Sequence, residues 1–275
     1  MQKRTRKSKF GFLPSIRNFS LLIFDAVDRL KNPGRLVPPR SLMFRPSPFF
    51  TKGGEKYKKI LIEYGDLQPD QQILEIGSGE GRAAIPLTAY LSENGGYWGL
   101  DIRKESIDWC TEQITAKYPN FHFQHWDIIN EHYNPNGVIN PEAFSFPFDE
   151  VYFDLVFLMS VFTHMGPGAV RNYLGEISRV LKPGGKCLFT IFLLTEAFKD
   201  FANPGIRYGD FKYHDDDYRI TEREHFPFTT AFREGFILDL LEQESFEILH
   251  RKGPGTWITR NPFMTAQELI VVKRI

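Results

Sequence analysis

Ile73-Leu74-Glu75-Ile76-Gly77-Ser78-Gly79-Glu80-Gly81-Arg82 is the stretch on which the reading of the fold turns. A short run suited to a buried strand passes into three glycines at alternate positions, and a helical pattern follows at about Gly81 to Leu91. Glycine permits a tight turn and lets the backbone approach a ligand closely. The dinucleotide fingerprint would need its third glycine at position 82, where this chain carries arginine. Glu75, two residues ahead of the first glycine, is awkward beside a pyrophosphate and natural in a network around a cationic ligand. A glycine-rich turn that holds no ligand is the plain alternative.

Outward from this stretch, strand-like and helical patterns alternate. The strands fall at about Ile73 to Ile76, Tyr97 to Leu100, Phe121 to Gln124, Phe153 to Leu158 and Lys186 to Phe192. Between them the spacing predicts helices over Ser106 to Lys117 and Ala169 to Leu181, the latter stopping at Lys182-Pro183-Gly184-Gly185. Pro86 inside the first crossover helix removes a backbone hydrogen bond and should bend it. A helix near Ala231 to Glu242 and two strands, about Phe246 to Lys252 and Glu268 to Lys273, close the chain. Strict alternation means right-handed crossovers, hence a mainly parallel sheet with helices on both faces, a doubly wound α/β domain.

In such sheets ligands bind beyond the carboxyl ends of the strands, where the strand order reverses. The second loop supplies Asp101, followed by Ile102. A carboxylate there can accept hydrogen bonds from both hydroxyls of a ribose, or it can cap the next helix. The third supplies Trp126 and Asp127, the acid able to accept from an adenine amino group, or to serve as a cap or a solvated loop acid.

Together these residues resemble motifs I to III of the class I S-adenosylmethionine-dependent methyltransferases. The resemblance runs over roughly residues 50 to 275. It takes in Met159-Ser160-Val161-Phe162-Thr163-His164 after the fourth strand, the Leu181 to Gly185 entry to the fifth and the closing strand pair. It implies a Rossmann-like seven-stranded sheet in the order 3-2-1-4-5-7-6 with strand seven antiparallel. It also implies that Glu75, Gly77, Gly79 and Gly81 surround the methionine part of the cofactor, that Asp101 with Ile102 holds the ribose, and that Asp127 with Trp126 holds the adenine. Ser160 completes the expected cofactor set. Methyl transfer to oxygen of a small-molecule, sugar or lipid-like acceptor is the expected reaction. His164 is the candidate general base, against the reading that it caps or packs the following helix.

Composition narrows the rest. The 275 residues are 42% apolar and 25% charged, an ordinary globular balance. Two cysteines exclude a disulfide scaffold and a four-cysteine zinc site, and fit a reduced compartment. The net charge of zero hides an asymmetry: residues 1–60 hold 15 Lys or Arg against 3 Asp or Glu, and the remainder 19 against 31. An acidic body disfavours nucleic acid as a partner, because neutralising phosphates takes clustered Lys and Arg. Residues 1–50 read as a basic tail, an amphipathic helix over Asn18 to Lys31 and a proline-rich connector over 33–50; a short helix from Tyr57 to Gly65 then opens the methyltransferase domain, 51–275.

The N-terminal apolar run is too short to span a bilayer, and the pattern is unlike a secretory signal. A cytoplasmic protein is expected, with peripheral contact to the inner face of a membrane through residues 1–31; packing of that helix on the enzyme as a lid is the rival reading. Residues 193–230, aromatic and irregular, are expected to cover the substrate. Asp215-Asp216-Asp217 reads as a solvated loop and His122 with His125 as opposite-facing strand residues, so no metal is expected. Two other function classes compete: an NAD(P)-dependent oxidoreductase, against which Arg82 counts, and a non-catalytic cofactor-binding interaction module, which only turnover would exclude. The identity of the acceptor and the oligomeric state are not written in the pattern.

Overall fold

The computed structural model describes residues 24–27, 30, 36–43, 47–195, 211–213, 216–221, 229–253 and 267–275. The basic tail 1–10, most of the expected helix over 18–31, the turn joining the last two strands, and Phe201, Tyr208, His214, Asp215, His225 and Phe226 of the expected cover lie outside them. Helix α1 spans Ser47–Gly65; then follow β1 Gln72–Ile76, α2 Ala84–Leu87, β2 Gly96–Asp101, α3 Lys104–Cys110, β3 Phe121–His125, β4 Phe153–Leu158, α4 Pro167–Val180 and β5 Leu181–Leu193. Three short strands come next, β6 Phe211–Tyr213, β7 Tyr218–Thr221 and β8 Thr230–Phe232, and α5 Glu234–Gln243, β9 Phe246–Lys252 and β10 Glu268–Arg274 end the chain.

The main sheet runs β3-β2-β1-β4-β5, with β10 antiparallel on β5 and β9 antiparallel on β10. With β9 and β10 as strands six and seven, this is the expected order and the expected direction of strand seven. Side chains alternate between two cores along the central strands. In β4, Phe153, Val156 and Leu158 join α4 and α5 on one face, while Leu155 and Phe157 join α1 and α2 on the other. Both faces are therefore dry, which is why these strands read as near-continuous apolar runs in the sequence. Each fully buried large apolar side chain contributes about 1.5–3 kcal/mol relative to exposure.

Several elements depart from the sequence reading. Helix α1 starts at Ser47, ten residues before Tyr57, and takes the end of the supposed connector; Pro48 falls in its first turn, where backbone N–H groups lack intrahelical partners anyway. The first crossover helix shrinks to four residues around Pro86. Pro86 cannot donate to the Arg82 carbonyl, which instead faces α1: a Cβ on Gly54 would lie 2.2 Å from that oxygen. The Lys182 to Gly185 run is a bulge between β4 and β5, since the pairing starts at Phe153 with Leu181 and resumes after a register shift. Helix α3 widens into a π-helical turn over Thr111–Thr115.

The closing helix starts at Glu234, because Phe192 and Leu193 of β5 pair with Ala231 and Phe232 and draw them into a strand. Strands β7 and β6 add antiparallel beyond β8, so the cover, where described, is a small sheet rather than irregular chain.

Candidate active site

Chain reversal between β1 and β4 makes the crevice. The loop after β1 leads to α2 on one face of the sheet and the loop after β4 leads to α4 on the other. The two loops touch: a Cβ on Gly77 would come within 2.5 Å of Val161 Cγ2. Gly77, Gly79 and Gly81 all have left-handed backbones, with φ of 80°, 51° and 73°. Gly81 needs its missing side chain for packing, since a Cβ would stand 2.8 Å from Ile114 Cδ1. Gly79 differs: a Cβ there meets nothing within 4 Å, so this half-buried residue has open space on its outer side at the rim of the crevice. Beside it the Ser78 hydroxyl is buried and meets no hydrogen-bond partner.

Asp101 ends β2 and braces this loop. Its Oδ2 accepts from the Gly79 N–H at 2.7 Å and its Oδ1 from the Arg103 N–H at 2.8 Å. Each carboxylate oxygen keeps a further lone pair, enough for a diol. Burial raises its pKa, opposed by the two backbone donors. Glu75 lies deeper, hydrogen-bonded by the Tyr97 hydroxyl, and burial pushes it up to about 8 against the lowering effects of Tyr97 and Arg82. Glu80 is buried and paired with Arg103 at 2.5 Å. The floor of the crevice thus gathers three carboxyls, Glu75, Glu80 and Asp101; Arg103 offsets Glu80, and a cationic ligand would favour the ionised form of Glu75, which otherwise keeps its proton up to about pH 8.

The other expected residues lie on the loops after β2, β3 and β4. The Trp126 N–H donates to the Asp101 carbonyl at 3.0 Å, while its ring is enclosed by Phe144, Phe146 and Phe148, with centroids 4.6, 5.0 and 6.3 Å away. Its indole N–H meets no acceptor. No helix follows Asp127, which therefore is no helix cap; Oδ1 accepts from Asn134 Nδ2 at 2.9 Å. Ile102 packs partly buried against the core, its carbonyl 3.2 Å from His125 Nε2. Ser160, with φ of 64°, donates its N–H to Thr190 Oγ1 at 2.8 Å and pairs its hydroxyl with the Gln267 amide.

His164 ends a 3-10 turn over Phe162–His164. Its carbonyl accepts from Asn130 Nδ2 at 3.2 Å and its ring meets the Tyr133 ring edge-on at 5.5 Å. Among the described residues no acids, histidines or cysteines cluster as a metal site would require, and Asp217 is instead paired with Arg233 at 2.8 Å.

The sequence reading passed over Tyr97, Arg103 and Tyr133. Tyr97 was detectable: period-two alternation puts it on the same face as Ile73 and Glu75, one strand over. Tyr133 was not, because it sits in the long segment between β3 and β4, whose shape depends on bridges pairing Ile128 with Ile139 and Asn130 with Asn134. Burial raises the Tyr133 pKa, with Arg103 lowering and Asp101 raising it, and its ring packs on His164 of the β4 loop.

This fold and this crevice define a class. Residues 73–185 match the family described as "Methyltransferase domain". The chain is similar to the ubiquinone/menaquinone biosynthesis C-methyltransferase UbiE of Wigglesworthia glossinidia brevipalpis, 29% identical over 136 residues, covering 50% of this chain and 48% of that protein. It is also similar to the phthiotriol/phenolphthiotriol dimycocerosates methyltransferase of Mycobacterium tuberculosis, 31% identical over 115 residues, 42% of this chain and 35% of the relative. The chain spans about half the length, or less, of these curated relatives. A crystal structure of a protein from Pyrococcus horikoshii OT3 superposes with a TM-score of 0.58 at 16% identity, over 86% of this chain and 95% of the other, a likeness of fold. Residues 73–185 accordingly match a methyltransferase domain, and the chain around them has the fold of the solved neighbour.

Proposed function

We propose that the protein transfers the methyl group of S-adenosylmethionine to the oxygen of a small, apolar, hydroxyl-bearing acceptor of lipid-like character. The observation that carries this reading is the pairing of Gly79, open on its outer side, with Asp101 and the buried Glu75 beneath it. Glycine backbone at the rim, a diol acceptor and a buried acid suited to a cation are what this cofactor's donor set requires. In this assignment Glu75, Gly77, Gly79 and Gly81 surround the methionine part, Asp101 and Ile102 hold the ribose, Asp127 faces the adenine with Trp126 backing it from the core, and Ser160 closes the β4 side. Bound S-adenosylmethionine supplies a methyl group already activated by its positive sulfonium. The chain's part is then to orient the acceptor, exclude water and take up a proton.

We assign the last of these to His164. Its loop leaves the carboxyl end of β4 beside the glycine loop, and Tyr133 packs against the imidazole while Asn130 holds its carbonyl. A neutral imidazole there accepts the acceptor hydroxyl's proton as the carbon–oxygen bond forms. The lipid-like class of acceptor rests on the names of the two relatives, and the first, a C-methyltransferase, favours a second reading in which a hydroxylated ring is methylated on carbon. Incubating the protein with methyl-labelled cofactor and extracted lipid and metabolite pools tests the proposal. Label in an apolar hydroxylated product, located on oxygen by NMR, supports it; label on carbon favours the second reading; no transfer by protein that binds the cofactor contradicts both.

A further inference from the structure

The basic excess of residues 1–60 is partly laid out as a surface. On α1, Lys52, Lys56 and Lys59 recur at i, i+4 and i+7 and are exposed, so they share one face of the helix. Phe49, a turn earlier on the same side, is 65% exposed, and Glu63 lies at the far end. Glu55 and Lys58 pair with each other at 2.8 Å and leave the stripe unaltered. Ahead of α1, residues 24–27 and 30 are helical, and Phe24, Val27 and Leu30 recur at three-residue steps with exposures of 57%, 38% and 82%. The outer side of this stretch is exposed, and Phe19, Leu22 and Ile23 of the expected apolar face lie outside the described residues. Asp25 of the same stretch is tied down, accepting from the Arg40 N–H at 3.1 Å, and the Arg40 guanidinium stands 5.3 Å from the Phe24 ring centroid. The 36–43 segment is fastened in turn to the crevice, since Arg103 donates to the Leu42 carbonyl at 3.3 Å.

We propose that Phe24, Val27, Leu30 and Phe49 with Lys52, Lys56 and Lys59 form a docking surface for an anionic lipid bilayer, held next to the cofactor crevice by the 36–43 segment. Charge complementarity points to an anionic partner, and the net of +12 over residues 1–60 against −12 over the rest orients it. Exposed Phe49 beside the lysines of α1, with exposed Phe24, Val27 and Leu30 on the preceding helical stretch, selects lipid over nucleic acid. An acyl and headgroup boundary takes up apolar side chains and phosphates together, whereas a phosphate backbone takes up charge alone. The proposal does not depend on the acceptor or on turnover.

Co-sedimentation of the full chain with vesicles tests it, using phosphatidylcholine alone and phosphatidylcholine with about one third phosphatidylglycerol, near the physiological salt at which screening is moderate. Binding to the anionic vesicles only is expected. Lys52→Glu/Lys56→Glu/Lys59→Glu and Phe24→Ser/Leu30→Ser should each weaken it about tenfold or more, given the known contribution of each basic residue near such a surface. Cofactor affinity and melting temperature, measured alongside, should stay unchanged and show that the variants are folded. Absence of sedimentation, equal binding to neutral vesicles, or wild-type binding by both variants overturns the proposal. So does binding of duplex DNA or RNA without vesicle binding.

Discussion

Glu75 carries a carboxyl buried in the crevice, and it yields a prediction about pH. Its folded pKa of about 8 lies above the 4.5 of an ordinary glutamate, raised by burial. The folded chain therefore keeps a proton that the unfolded chain releases. Stability tied to that proton is fully present below pH 4.5 and is lost as pH rises through 8. Without cofactor, the melting temperature should fall between pH 5.5 and 8, and Glu75→Gln, whose amide oxygen can still accept from Tyr97, should flatten that fall. Identical slopes in the two proteins would remove Glu75 as the cause. His164 makes a second prediction at this scale. As a base it is worth about 10²- to 10⁴-fold in rate, so His164→Ala should lose that much single-turnover rate with cofactor affinity intact. A merely packed histidine would instead cost about 1 kcal/mol of stability and leave the rate per folded molecule alone.

At the scale of elements, the loop after β1 carries two glycines with different duties. Gly77 combines φ of 80° with the contact to Val161, so Gly77→Ala should destabilise the fold by about 1–3 kcal/mol in denaturant titrations, and a paired Val161→Ala should recover the steric part only. Gly79→Ala meets no protein atom; it should cost about 1 kcal/mol for its backbone and lose cofactor affinity well beyond that. Equal effects of the two substitutions on affinity and stability would contradict the division.

The strands of the main sheet were legible to within a residue or so except at the start of β5, and β4 had the bounds read from the sequence because burial on both faces leaves a continuous apolar signature. Strand β9 also kept its expected bounds although it is largely exposed, and β6, β7 and β8 were not read as strands. The helices were less so, for local reasons. Pro86 cut α2 short while its apolar spacing still suggested several turns. Ala231 and Phe232 carry spacing that suits a helix, yet pairing with the far end of β5 makes them a strand, a tertiary effect no local window contains. Among site residues, those at strand ends were readable because topology alone puts them at the crevice. Tyr133 and Arg103 were not, since their positions come from loop bridges and from Glu80 across the crevice.

For the whole molecule, the fold explains how an acidic body and a basic N-terminal segment coexist: acids line the crevice, and exposed lysines line α1. No helix among the described residues is long and apolar enough to cross a membrane; the lipid contact proposed above is one of surface adsorption through exposed side chains. The account as a whole stands on the crevice between β1 and β4 holding S-adenosylmethionine through Asp101. Calorimetric titration of S-adenosylmethionine and its demethylated product into the wild-type chain and Asp101→Ala, with melting temperatures recorded in parallel, tests this most directly. Loss of a charged acceptor to two hydroxyls should cost about 1.5–3 kcal/mol, so both ligands should bind the wild type and bind the folded variant at least about tenfold more weakly. Unchanged affinity in a folded Asp101→Ala protein, or no binding by the wild type, would contradict it.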